Sequence, residues 1–375
     1  MAQALNRRPL APPIDLASVY VYDDLDDYDA VARGDRPGHY YGRNSSENRS
    51  MLERAVAELE GAEAGVSAAS GMAALHLAIL ALAPRPTTIV ATREAYGGTV
   101  SLLHQDFEPM GYEPHFVDMT DLDAVRRGLD GAGVVLIETI TNPLCRVPDL
   151  EAIATMARER GVKVLVDNTF ATPILCRPLE LGADVVVHSA TKYIGGHSDL
   201  LAGVVVGGAT VMAPARARSI RTGSTLGPFD AWLALRGLRT LEVRMRRHTE
   251  NSVTLARALQ NMEGVERVHH PLLEGSPSGP VARRLLPQGA GGMMAFDLLG
   301  GRDAVQRMIS RFQMVTFAAS LGGVETTISY PEITSHRGLT PEERAELGVG
   351  PGTVRVSVGI EAAEDIVADF KQALS

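Results

Sequence analysis

Five short runs rich in β-branched residues set the terms for the fold: TTIVAT (87–92), VVLIE (134–138), KVLVDN (163–168), DVVVHS (184–189) and AGVVVG (202–207). They are largely unbroken, whereas a strand with one wet face alternates apolar with polar residues. Such runs suit strands covered on both faces. Helix-length segments such as LEAIATMARERG lie between them. The pattern predicts an α/β domain with a mostly parallel sheet and helices on both faces.

The rest of the chain divides around this block. Residues 1–45 carry Pro9, Pro12, Pro13, Pro37 and scattered acids with little periodicity, and read as an extended arm. A helix is expected next, with Ser46 as its cap, Met51, Leu52, Ala55, Val56 and Leu59 on one face, and Gly61 at its end. The large domain is expected over 46–235. Long helices over 213–264 lead out of it into a smaller α+β domain, 236–375, with strands in GGMMAFDLL and GTVRVSVGI. At 375 residues, two domains are the natural expectation.

Composition narrows the function. The net charge of −9 and the lack of a long Lys/Arg run argue against a nucleic-acid partner. Two cysteines, Cys145 and Cys176, make no disulfide framework, so the chain reads as cytoplasmic. The N-terminus lacks the apolar core of a signal peptide, and no stretch of 18 apolar residues suggests a membrane span. The ten histidines show no ligand spacing such as H-E-x-x-H, so no metal site is expected. The GAG at 131–133 precedes a strand rather than following one, which disfavours a nicotinamide dehydrogenase.

The stretch HSATKYIGGHSD (188–199) then asks what Lys192 is for, between two valine runs and ahead of Gly195 and Gly196. Three readings compete. One is a plain surface lysine in a loop. The second is a phosphate-binding P-loop, but the order G-x-x-x-x-G-K-[ST] is absent. The third is a Schiff-base lysine holding pyridoxal 5′-phosphate, which also needs an acid at the pyridine nitrogen, a phosphate cup and a stacking ring. Asp167, at the carboxyl end of KVLVDN, shares the expected crevice with Lys192, although a helix cap would explain it equally well. Ser70-Gly71-Met72 opens an apolar helix whose free N–H groups suit an anion, and Ser189 and Thr191 add hydroxyls. Tyr96, just after TTIVAT, is a candidate ring; a core or rim tyrosine is the plainer alternative.

Together these residues, with RPLELGAD, LRGLRTLEVRM, SLGGVET and VRVSVGIE, resemble the Cys/Met-metabolism family of pyridoxal-phosphate enzymes, which includes the cystathionine γ-lyases and γ-synthases and the methionine γ-lyases. The resemblance runs from about Tyr40 onward. It implies the fold of the aspartate aminotransferase type (fold type I), and it implies roles. Lys192 would carry the cofactor and move protons. Asp167 would face the ring nitrogen, and Gly71, Met72, Ser189 and Thr191 would hold the phosphate. Tyr96 would stack on the ring and serve as an acid. Tyr41 and Arg43 would reach a neighbouring subunit's phosphate, implying a homo-oligomer, a dimer of dimers. Arg355 would clamp the α-carboxylate of a small amino-acid substrate, assisted by Asn142 and Ser320. Glu138 matches a family acid near the cofactor.

The departures from the family pattern point at the substrate. Asn-Pro-Thr after the Tyr-x-Arg is replaced by Ser46-Glu47-Asn48. Ala319 stands where cystathionine-handling members carry Glu, and Ser101 where they tend to carry Arg. Gly98 replaces the cysteine of methionine γ-lyases. Losing charged anchors disfavours a long charged substrate. The expectation is γ-elimination from a short γ-substituted L-amino acid through a vinylglycine-type intermediate, with γ-replacement on an activated homoserine as the alternative. A non-catalytic relative is disfavoured by the retention of Lys192, Asp167, Tyr96 and Arg355.

Overall fold

The computed structural model describes residues 9–375. The first eight residues of the expected arm lie outside the described residues. Seven strands form the first sheet: β1 (Ala64–Ala68), β2 (Thr88–Thr92), β3 (Glu113–Val117), β4 (Ala132–Glu138), β5 (Lys163–Asp167), β6 (Val185–Ser189) and β7 (Gly203–Gly207). Their order is β1-β7-β6-β5-β4-β2-β3, and β7 alone runs antiparallel to its neighbours. The five valine-rich runs are all strands, and they sit together in the middle of the sheet.

Their side chains divide by parity. Val135, Ile137, Val164, Val166, Val186, Val204 and Val206 enter the core on one face. Val134, Leu136, Leu165, Val185, Val187 and Val205 enter the core on the other. Every one is at most 2% exposed, which is why these runs cannot alternate with polar residues. The edge strands carry no such run. β1 reads AGVSA, and β3 reads EPHFV, whose Glu, Pro and partial exposure suit an edge.

The second sheet holds β8 (Val265–His269), β9 (Met293–Leu298), β10 (Thr316–Phe317), β11 (Thr327–Ser329) and β12 (Thr353–Ser357) in the order β10-β11-β12-β9-β8. All pairings but β10–β11 are antiparallel. Phe296, Val354 and Val356 from the sheet, and Ile366 and Phe370 from the last helix, Ala363–Leu374, share one core.

Two local expectations need correction. The arm is not wholly extended: Leu25–Arg33 is a helix, capped by Asp24 and closed by Gly34 in the left-handed region. Only Val31 on it is buried, so it had no apolar stripe to reveal it. The helix Glu47–Glu60 begins and ends as expected, but the Ser46 hydroxyl makes no cap bond. Leu52 and Val56 face the core, with Arg49, Glu53 and Glu60 beside them, while Met51, Ala55 and Leu59 are half-buried. Asn48, in the altered Ser46–Asn48 segment, and the neighbouring Ser45 fasten the arm. The Asn48 side chain accepts from the Asp15 N–H at 2.8 Å and donates to the Pro13 carbonyl at 2.9 Å, and Ser45 Oγ bonds His39 at 2.7 Å.

Candidate active site

The parallel strands β2, β4, β5 and β6 end on one side of the sheet, where ligands bind in open α/β folds. A cavity of about 1090 Å³ opens there. It is lined by Gly71, Met72, Tyr96, Glu138, Asn142, Asp167, Ser189, Thr191, Lys192, Ser320 and Arg355. Twelve residues were singled out as catalytic or binding candidates, and ten of them meet in this one space, with Glu138 beside them.

Lys192 is one of three lysines in the chain; Lys163 and Lys371 are exposed. It sits on a turn between β6 and β7 tied by several main-chain bonds, including Gly196 N–H to the Lys192 carbonyl at 2.7 Å. Behind the turn, buried Arg244 donates to the Tyr193 carbonyl at 2.6 Å and the Gly237 carbonyl at 2.8 Å. Gly196, at φ +75°, leaves room for that guanidinium; a Cβ there would lie 2.2 Å from Arg244 Nη1. Lys192 Nζ donates to Ser320 Oγ at 2.8 Å. Burial, and then the charge of Arg355, push its amine down to about 8.

Asp167 and Glu138 are register neighbours at the ends of β5 and β4. Asp167 accepts from the Thr169 N–H at 2.9 Å, and Thr169 Oγ1 accepts from the Ser189 N–H at 2.9 Å. Burial raises the Asp167 carboxyl, against the hydrogen bonds from Thr169 and the charge of His188. Glu138 accepts from the Tyr96 N–H at 2.7 Å, fixing where the tyrosine leaves the backbone. Burial, then Asp167, raise Glu138 well above the usual carboxylate range. Behind this floor, Glu60 Oε1 bonds His188 Nε2 at 2.7 Å and accepts from Asn168 at 2.8 Å, all three fully enclosed.

At the opposite end, Ser70 caps the helix Gly71–Leu82 through the Ala73 N–H, leaving the first-turn N–H groups of Gly71 and Met72 without intrahelical acceptors. Gly71 lies so close to β6 that a Cβ on it would stand 2.6 Å from Ser189 Cβ. A small anion has N–H groups and the Ser189 hydroxyl to bind here. The Thr191 hydroxyl is engaged otherwise, donating to the Ala202 carbonyl at 3.2 Å and accepting from its N–H at 3.0 Å.

Arg355, on β12, crosses from the second sheet into the cavity. It donates to Asn142 Oδ1 at 3.0 Å and to the Ser320 carbonyl at 2.9 Å. Ser320 holds φ +105°, a strained conformation for a residue with a side chain, and its hydroxyl meets Lys192 while its carbonyl meets Arg355. Tyr41 and Arg43 do not join the cavity of their own chain. Both are exposed, and Arg43 donates to the Ile220 carbonyl at 2.7 Å with its guanidinium 5.5 Å from the Tyr41 ring centroid.

Sequence reasoning missed Thr169, which joins the Asp167 carboxylate to the Ser189 backbone, and His336, which lines the cavity from the loop after β11. Thr169 lies two residues past Asp167 in KVLVDNTF, a signal open to a reader asking what orients the acid. His336 offers no such signal, because only the fold brings it near Arg355.

These residues fit pyridoxal phosphate on structural grounds. They offer a depressed amine, a sheltered carboxyl at a strand end, an anion cup that any side chain at position 71 would fill, and a cationic clamp. Among the described residues, no group of three His, Cys, Asp or Glu side chains could hold a metal ion, and no helix is long and apolar enough to cross a membrane. Comparison with known proteins agrees. L-methionine γ-lyase of Pseudomonas putida is 40% identical over 97% of this chain and 92% of its own length. O-succinylhomoserine sulfhydrylase of Pseudomonas aeruginosa is 38% identical over 96% of this chain and 89% of its own. The crystal structure of cystathionine γ-synthase from Xanthomonas oryzae pv. oryzae superposes with a TM-score of 0.91 at 38% identity, covering 97% of this chain and 92% of that one. The family profile for Cys/Met metabolism PLP-dependent enzymes matches residues 3–375, and the chain belongs to that family, with its fold type I architecture and its cofactor.

Proposed function

We propose that the protein catalyses γ-elimination on a short γ-substituted L-amino acid. The observation that carries this reading is the make-up of the cavity around Lys192. One buried arginine, Arg355, is ready for an α-carboxylate; Ala319, Ser101 and Gly98 offer no charge to a substrate's far end, and the other arginines that line the cavity, Arg93 and Arg337, are exposed. Pyridoxal phosphate, when bound, supplies the electron sink that lets an amino acid lose its Cα proton.

The chain does the rest. Lys192 Nζ, near 8, is free amine in useful amount at neutral pH and takes the Cα proton. Its contact with Ser320 Oγ keeps the amine on the Arg355 side of the cavity. Asp167, held by Thr169, would pair with the ring nitrogen of the bound cofactor. Arg355 grips the carboxylate with the donors that Asn142 and Ser320 leave free. The Tyr96 hydroxyl acts as the acid toward the departing group. Glu138 fixes the Tyr96 backbone. Tyr41 and Arg43, having no place in their own cavity, complete the phosphate site of a second copy.

The second reading is γ-replacement, and the sulfhydrylase and γ-synthase relatives favour it. A product assay separates the two. PLP-loaded protein is offered cystathionine, methionine, O-acetylhomoserine and O-succinylhomoserine, and γ-halo or unsaturated analogues, with and without a thiol. Elimination yields ammonia and a four-carbon 2-oxo acid whether or not thiol is present. A thioether formed only with thiol would establish replacement instead.

A further inference from the structure

Two residues that line the cavity each have a buried nitrogen without a hydrogen-bond partner among the described residues. One nitrogen is Arg355 Nε; the other is His336 Nε2. Arg355 is 6% exposed and His336 only 3%, so bulk water does not satisfy either. Leaving such groups unpaired costs stability, and native proteins rarely tolerate it without a reason. Both line the cavity that holds Lys192.

The chemistry of the missing partner follows from the donors. A guanidinium can only donate. Ser335 Oγ lies 2.9 Å from His336 Nδ1; in the tautomer in which the hydroxyl donates to Nδ1, the ring proton sits on Nε2. Burial, then the charges of Arg355 and Arg344, push the imidazole down to about 4, so it stays neutral at ordinary pH. In that tautomer both residues lining the cavity carry an unpaired N–H, and a carboxylate offers two acceptor oxygens for them. The loop that carries His336 is held in place by close packing, since a Cβ on Gly97 would lie 2.1 Å from the Ser335 carbonyl oxygen.

We infer that His336 is a further substrate-binding residue, donating its Nε2–H to the α-carboxylate that Arg355 grips. This rests on the reading of Arg355 as the carboxylate clamp. Ser335 is the positioning residue that selects the tautomer.

The test uses PLP-loaded protein and two probes, glycine and methylamine, which differ only in the carboxylate; binding is followed by the change in cofactor absorbance. His336→Phe keeps a planar aromatic ring, somewhat larger, and removes the donor. The expected result is a roughly ten- to hundredfold weaker glycine affinity with methylamine unchanged. His336→Gln, which carries an amide N–H near the Nε2 position, should recover part of the loss. Ser335→Ala should cost less than His336→Phe, and it tests the same contact if the phenylalanine variant does not fold. Equal losses for both probes would make His336 a structural residue only. Unchanged glycine affinity would also overturn the inference. Arg355→Lys is run beside them: if it too leaves glycine unaffected, the carboxylate clamp itself is wrong, which separates failure of the site reading from failure of the histidine's role.

Discussion

At the scale of single residues, the site works by placing ionisable groups where water is scarce. Lys192 is the plainest case. Its ammonium loses hydration and faces Arg355, so the free amine is favoured. An exposed lysine would titrate near 10.4. The sign is testable. Only the free amine attacks the cofactor's aldehyde, so the rate at which cofactor-free protein captures pyridoxal phosphate should climb with pH through a midpoint at about 8. A midpoint close to 10.4 would show an unperturbed lysine. Lys192 was legible in the sequence because a lysine between buried strands and before paired glycines is hard to explain otherwise. Asp167 was legible by position at a strand end. His336 and Arg244 were not: one is 19 residues from Arg355 and the other 52 from Lys192 in the chain, and only the folded chain brings them together.

At the scale of elements, the proposed phosphate cup rests on how tightly the helix Gly71–Leu82 meets β6. Gly71 stands against Ser189, and Gly203 stands against the Ser70 carbonyl with only 2.1 Å to a built Cβ. Gly71→Ala should therefore force the helix start away from Ser189. The expected cost is about 1–3 kcal/mol of stability, with weaker retention of cofactor on dialysis. A variant that keeps full stability and cofactor would remove this junction from the site. The central strands were readable because burial on both faces leaves an unbroken apolar run in the middle of each. β1 and β3 were not, since an edge strand made of small or polar residues carries no period-2 or unbroken signal. The arm helix escaped notice for a related reason: its ends are marked by Asp24 and Gly34, but its surface is nearly all exposed.

At the scale of the whole molecule, the arm belongs to the account only if a second copy uses it. The single chain leaves Tyr41 and Arg43 outside its own cavity, and the arm exposes Leu10, Leu16, Val19 and Val21. Complementation tests the exchange. Lys192→Ala and Arg43→Ala proteins should each be nearly inactive alone. Refolded or co-expressed together, they should regain activity, up to about a quarter that of the native protein for a randomly reassorted mixture and half for isolated mixed dimers, because the mixed dimer has one site with both an intact lysine and a partner's arginine. No recovery in verified mixed dimers would confine Arg43 to its own chain. The claim on which everything else rests is that Lys192 carries the cofactor. The direct measurement is to load the protein with pyridoxal phosphate, reduce it with borohydride, digest it and weigh the peptides. With only Lys163, Lys192 and Lys371 available, the pyridoxyl mass should appear on the peptide containing Lys192, and Lys192→Ala should abolish it. A label on Lys163 or Lys371, or none on Lys192, would contradict the account.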